Sequence, residues 1–327
     1  MRHLGIMVAA ALLASALPAA ANDSQAEFGL GGLTLTRSEA IRMASEELRI
    51  SATRIEVDYV FLNGSNRDIE TVVAFPLPDH ENPEGSPEAM VPDYRNELDF
   101  RTTVDGRPVP LTLVETATFR GHDVTGHLRS LGLPIMPVYQ PLQDAIARLD
   151  DKRRAELVAS GLVIDVGGDT SHDWVGLWKV STSVTRTQVF PAGRTVAVSH
   201  SYKPFVGGSV GGRFGKQHRR DDFFLEAKQK YCIDDDFLRG MDRRAKVELN
   251  GADYSEKWIS YVLTSGANWA GPIGRFRLVV DKGAAGNLVS FCETGVRKID
   301  DRRFEVVREN FVPKRNLDVL IVDFTQN

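Results

Sequence analysis

A period-two alternation constrains this chain more than any other feature. Ile55, Val57, Tyr59 and Phe61 alternate with Arg54, Glu56 and Asp58, which sends every second side chain to one face of a strand and gives a helix no coherent apolar stripe. Asn63-Gly64 follows as a turn, and Thr71 to Leu77 reads as the partner strand. Pro76 and Pro78 close it, because neither can donate to a continuing ladder. After a proline-rich, acidic loop from Asp79 to Asp93, Leu98 to Val104 and Val109 to Thr118 flank Asp105-Gly106-Arg107, a strong hairpin signal. Four strands with no βαβ rhythm point to an antiparallel sandwich.

The pattern shifts near Gly121. From Val124 to Leu162 apolar residues fall at helical spacing, as in Leu142, Ile146 and Leu149. Asp150 or Asp151 is placed to cap the last helix, Lys152-Arg153-Arg154 to face solvent and Gly161 to end it. Strand patterns resume from Trp174 to Phe190 and from Thr195 to Tyr202, separated by the turn Pro191-Ala192-Gly193. A glycine-rich basic loop, Gly207 to Arg220, and a short helix from Asp234 to about Arg244 precede strands around Trp258, Phe276, Leu288, Phe304 and Leu317. The expected fold is mainly β, α+β overall. It comprises two antiparallel β-sandwich-like domains, residues 22–120 and 164–327, with a helical insertion at 121–163.

The N-terminus reads as an export signal. Arg2 supplies a positive start, Leu4 to Leu17 are apolar but too few for a stable membrane anchor, and Pro18 breaks the stretch before Ala19 and Ala21. Cleavage is expected between Ala21 and Asn22, after a signal peptide of residues 1–21. No cysteine follows that point directly and no Arg-Arg pair precedes the apolar run, so neither lipidation nor twin-arginine export is suggested. No later segment approaches the run of about 18 apolar residues that a span requires. The expected product is a soluble protein outside the cytoplasm. Cys232 and Cys292 are the only cysteines, and an even pair in an oxidising compartment is expected to form a disulfide. They lack neighbouring histidines at zinc-finger spacing. A net charge of −4 argues against a dedicated nucleic-acid binder.

No catalytic or cofactor signature is complete. Gly207-Gly208-Ser209-Val210-Gly211 matches the G-x-S-x-G elbow, but Gly212 and Gly215 stand where a helix should start, and His218 is the only later histidine, with no acid placed before it as that fold requires. Lys216 is followed by Gln217, so the glycines make no phosphate loop. Asp165, Asp169, Ser171 and Asp173 resemble a run of calcium-ligating oxygens without the glycine and terminal glutamate of an EF-hand; a solvated acidic loop is the expectation, with calcium left open. His122 and His127 are five apart and do not share a helical face. Trp174, Trp178, Trp258 and Trp269 could line a ligand groove, but buried core aromatics are the expectation, and Trp269, in a Gly-Pro loop, is the one to watch. Arg213, Lys216, Arg219 and Arg220 form a basic loop with five glycines and no acid, which suits an anionic partner.

Several stretches together resemble the bacterial periplasmic family known as domain of unknown function 4424. They are Glu47-Leu-Arg-Ile-Ser51, Arg54 to Asn63, Val73-Ala-Phe-Pro-Leu-Pro78, Tyr231-Cys-Ile-Asp234, Gly266-Ala-Asn-Trp-Ala-Gly-Pro-Ile-Gly274, Phe276-Arg-Leu-Val-Val280 and Asp318 to Phe324. The resemblance implies a periplasmic location and no particular activity. Tyr59 to Pro78 also looks like the start of a vault/inter-alpha-trypsin domain, although no D-x-S-x-S metal motif follows. The expected function is a non-enzymatic binding or protein-interaction module of the periplasm, without cofactor or metal. Its expected partner is an acidic envelope component or another periplasmic protein. The alternative is a cell-envelope hydrolase with a site assembled from distant residues.

Overall fold

In the computed structural model, which describes residues 22–29, 32–82, 85–86, 91–168, 171–209, 212–244, 247–248, 251–252 and 254–324, the alternating segment becomes the strand Ile55–Asn63. It buries Ile55, Val57, Tyr59 and Phe61 and exposes or half-exposes the residues between them. Its hairpin partner is Ile41–Ile50, where Ala44 is bulged out of register between Met43 and Ser45. These two strands lie within an eight-stranded sheet that runs Arg297–Lys298, Arg303–Phe311, Ile273–Asp281, Ile41–Ile50, Ile55–Asn63, Thr195–Tyr202, Arg101–Val104 and Arg107–Pro108. All its pairings are antiparallel except that of Ile273–Asp281 with Ile41–Ile50, which is parallel. Gly274 lets these two approach at the bulge, since a Cβ there would stand 2.4 Å from the Ala44 carbonyl oxygen.

A second, six-stranded antiparallel sheet runs Gly32–Thr36, Ser24–Gly29, Ile69–Pro76, Lys179–Phe190, Thr112–Phe119 and His122–Asp123. It faces the first across an aromatic core: Phe190 meets Phe61 edge-on at 5.7 Å, and Phe75 meets Tyr202 at 5.5 Å. The expectation of one sandwich per domain is corrected by this pairing. Strands from 22–120 and from 164–327 interleave in both sheets, so the boundary at 163/164 does not separate two cores.

The turns explain why. Asn63-Gly64 does not join hairpin partners; it carries the chain from the eight-stranded sheet to the six-stranded one. Asn63 is fully buried and donates to the carbonyls of Arg67 and Phe190, both at 2.8 Å, fixing the crossing. Asp105 and Gly106 both take positive φ, as a tight hairpin turn demands. The arm beyond it pairs through Arg107–Pro108, and Val109 N still donates to the Thr102 carbonyl at 3.2 Å before the chain crosses over to Thr112–Phe119.

The helices Thr125–Ser130, Tyr139–Ala147 and Asp151–Ser160 form the expected insertion. Asp150 caps the last by accepting from Arg153 N at 2.8 Å, and Gly161 ends it at φ +77°. A third layer is a short sheet of Ser255–Tyr261, Leu317–Asp323 and Leu288–Phe291, covered by helices Asp222–Lys230 and Asp235–Arg244. Its central strand is apolar on both faces. Leu317, Val319 and Ile321 enter the main core, whereas Leu320 and Val322 pack with Phe224, Phe237 and Met241. The Cys232 and Cys292 sulfurs are bonded at 2.02 Å, with Cα atoms 5.0 Å apart, and tie the turn between these helices to the end of Leu288–Phe291. No helix among the described residues is long and apolar enough to cross a membrane.

Candidate functional site

The basic loop is engaged with its own layer. Gly207 bridges to Trp258 through backbone hydrogen bonds of 3.0 and 2.8 Å, and Ser209 donates to Glu256, which also accepts from Arg213 N. Arg213 lies 4.2 Å over the Phe223 ring. Arg219 forks onto Asp242, and Lys216 reaches the same carboxylate at 3.7 Å. Arg220 is exposed and forms no ion pair among the described residues. Asp242, outside the loop in sequence, thus answers much of the positive charge. Val210 and Gly211 lie outside the described residues. Ser209 has a carboxylate partner and His218 pairs with Asp221 at 2.9 Å, so the elbow motif assembles no serine–histidine couple.

Asp165 spends its oxygens on its own loop, accepting from Gly167 N at 3.0 Å and Asp173 N at 2.9 Å and meeting His172 Nδ1 at 2.6 Å. Asp169 lies outside the described residues, as do Ala21 and the rest of the expected signal peptide. Among the described residues no cluster of three His, Cys, Asp or Glu has metal-site geometry. His122 and His127 are exposed. Trp178 and Trp269 are both fully buried. Trp269, although in a loop, points inward, and its indole N–H donates to the Asp23 carbonyl at 2.5 Å.

That hydrogen bond leads to a polar centre between the sheets. Asn22, Asp23 and Ser24 are buried at 0% exposure. Arg186 grips Asp23 with two N–H groups, at 3.3 and 2.7 Å. His200 Nε2 lies 3.2 Å from Asp23, an electrostatic contact without hydrogen-bond alignment, while its Nδ1 shares a 2.7 Å bond with Thr102. Burial works to raise the Asp23 carboxyl, but Arg186 and His200 outweigh it and hold the group well below the usual carboxylate range. Burial lowers the His200 imidazole against the pull of Asp23. Asn22 donates to Glu46 Oε2 at 2.9 Å and accepts from the Tyr59 and Tyr261 hydroxyls. Burial pushes the Glu46 carboxyl up to about 8, against that hydrogen bond.

A surface groove of about 680 Å³ opens where the helical insertion meets the six-stranded sheet. Phe119, Ile164 and Leu177 give it an apolar floor, and Asn82, Thr118, Arg120 and Lys179 line its rim. Lys179 is neutralised by Asp79 at 2.6 Å and Glu81 at 3.0 Å. Arg120 is different: its guanidinium lies 4.8 Å over the Phe119 ring and forms no ion pair among the described residues. It takes φ +50° beside Gly121 at φ +81°, a turn that raises the side chain beside the groove. Neither the groove nor the polar centre was identified from sequence. The centre left a signal, because Arg186 and His200 occupy inward phases of strands whose neighbouring inward positions include Val184, Val196 and Val198. The groove left none, since Phe119 and Ile164 meet only through the fold.

None of the curated proteins matches the chain. Among solved structures it is similar to one from Legionella pneumophila subsp. pneumophila str. Philadelphia 1, described as "a putative nutrient binding protein", at 15% identity and a TM-score of 0.44. That match covers 92% of this chain and 70% of the other. So distant a likeness says nothing of what this chain binds. The family model described as "Domain of unknown function (DUF4424)" matches residues 21–320. With nearly its whole length matched, the chain belongs to that family of unknown function.

Proposed function

We propose that this protein is a non-enzymatic binding module of the periplasm, holding in the groove above Phe119, Ile164 and Leu177 a ligand with an apolar body and one anionic group. The observation that carries the reading is the combination of an apolar floor with a cation, Arg120, that forms no ion pair among the described residues, in a volume of about 680 Å³. Ligand sites have this size and make-up, mostly apolar with a few placed polar groups. A guanidinium beside an aromatic ring favours a carboxylate, sulfonate or phosphate over a neutral group. The periplasmic address is supported by the apolar leader and by a disulfide, which persists in oxidising compartments.

Anilinonaphthalene sulfonate, an aromatic body with one anion, is a suitable probe for titration by fluorescence. Arg120→Asn removes the charge and tolerates the positive φ. It is expected to weaken probe binding by roughly tenfold, the scale of one charge-assisted contact, with an unchanged melting temperature. Equal binding by the variant and the parent sinks the assignment of the groove.

A further inference from the structure

The polar centre is one cation short. Asp23 is met by Arg186, but Glu46, on the inward face of Ile41–Ile50, has a partner on only one oxygen. Its Oε1 is buried with none among the described residues. An isolated carboxylate in such a place is strongly disfavoured, and its raised pKa records that. The groups around it are Asn22, Asp23, Tyr59 and Tyr261, with Arg186 and His200 both directed at Asp23.

We infer that the missing cation is the α-ammonium of Asn22, set free when the chain is cut after Ala21, and that the new N-terminus becomes an internal ion-pair partner of Glu46. The inference rests on reading residues 1–21 as an export signal. Hydrolysis adds one water across the Ala21–Asn22 amide: the carboxylate leaves with Ala21, and the amine on Asn22 takes up a proton. As an amide, Asn22 N has one hydrogen, which it gives to Ser265 Oγ. As an ammonium it has three, enough to keep Ser265 and supply Glu46.

The niche is shaped for this residue. Ser265 Oγ returns a bond to the Asn22 carbonyl at 2.6 Å, Asn268 donates to Ser24 Oγ at 2.9 Å, and Trp269 donates to the Asp23 carbonyl. A Cβ on Gly266 would stand 2.5 Å from the Asn22 side-chain nitrogen Nδ2. Gly266, Asn268 and Trp269 all belong to the Gly-Ala-Asn-Trp-Ala-Gly-Pro stretch, whose role is thus to seat the first three residues of the processed chain.

The test is a two-by-two comparison of thermal midpoints. One protein starts at Asn22, released from a fusion that leaves no residue behind; the other starts at Ala19; each is made with Glu46 and with Glu46→Gln. In the Asn22 form, Glu46→Gln leaves a buried ammonium unpaired and is expected to lower the midpoint by about 5–10 °C. In the Ala19 form the same substitution removes an unmatched carboxyl and is expected to leave the midpoint unchanged or raise it. Equal shifts in the two forms overturn the inference. An acetyl N-hydroxysuccinimide ester gives a second readout. The α-amine of the folded Asn22 form is expected to stay unmodified and to react once urea unfolds it; native labelling at the rate of an exposed amine also overturns the inference. Both start sites are set by design, so these results read the niche independently of where the cell trims the chain.

Discussion

Replacing Arg186 by methionine is expected to destabilise the protein by about 3–5 kcal/mol, the range for removing one partner of a buried ion pair. Arg186 is 2% exposed and Asp23 not at all, so solvent cannot replace the lost charge. Burial lowers the His200 imidazole, so it stands in poorly for the lost guanidinium. Asp23→Asn combined with Arg186→Met is expected to recover much of the loss, because the uncompensated charge disappears together with its partner. Urea unfolding of the three proteins measures this. A single Arg186→Met variant within 1 kcal/mol of the parent contradicts the role given to the pair. The acid limb follows the same pair. The folded Asp23 carboxyl titrates below the ordinary aspartate value of 3.8, so its stabilisation is complete above that value and drains away as pH falls below it.

Loss of the Cys232–Cys292 bond is expected to have an effect of similar size. The link closes a loop with a sequence separation of 60, for which chain entropy gives about 4 kcal/mol. Its position adds a structural reason. The helices Asp222–Lys230 and Asp235–Arg244 cover only the outer face of a three-stranded sheet, through a cluster much smaller than the main core. The bond fastens that cover where the helices meet the strand end. A double Cys→Ser variant is therefore expected to unfold at lower urea, with the helical layer losing amide-exchange protection before the two large sheets do. Unchanged stability in the variant removes the disulfide from the account of what holds this layer in place.

The strand content was legible because strand alternation is local. Ile55, Val57, Tyr59 and Phe61 declare a face without help from the rest of the chain. Ile41–Ile50 was missed for a physical reason: the bulge at Ala44 shifts the inward phase from Ile41 and Met43 to Glu46, Leu48 and Ile50, and a charged residue holds the first position after the shift. Sheet membership was illegible for another reason. A turn such as Asn63-Gly64 reports that the chain reverses, but the sheet the next strand joins depends on partners far away, here Phe190 and Arg186. The cap at Asp150 and the stop at Gly161 were readable since both act within one turn of helix. The candidate sites were mostly unreadable. Arg120 gains its setting from Ile164 and Leu177, and Asn22 gains its own from Glu46, Tyr59, Tyr261 and Ser265, contacts that span up to 243 residues.

The basic loop illustrates the converse hazard. Arg213, Lys216 and Arg219 stood out in sequence as a local reversal of sign, yet Phe223 and Asp242 engage them in the folded chain. A charge pattern reports a surface only after its partners are known.

On the proposed reading, the working protein begins at Asn22, with that end enclosed between the sheets of a periplasmic binding module. N-terminal sequencing of the protein recovered from the periplasmic fraction of its own cells tests it most directly. A single start reading Asn-Asp-Ser is expected. A start at Met1, or recovery only in the cytoplasmic fraction, contradicts it.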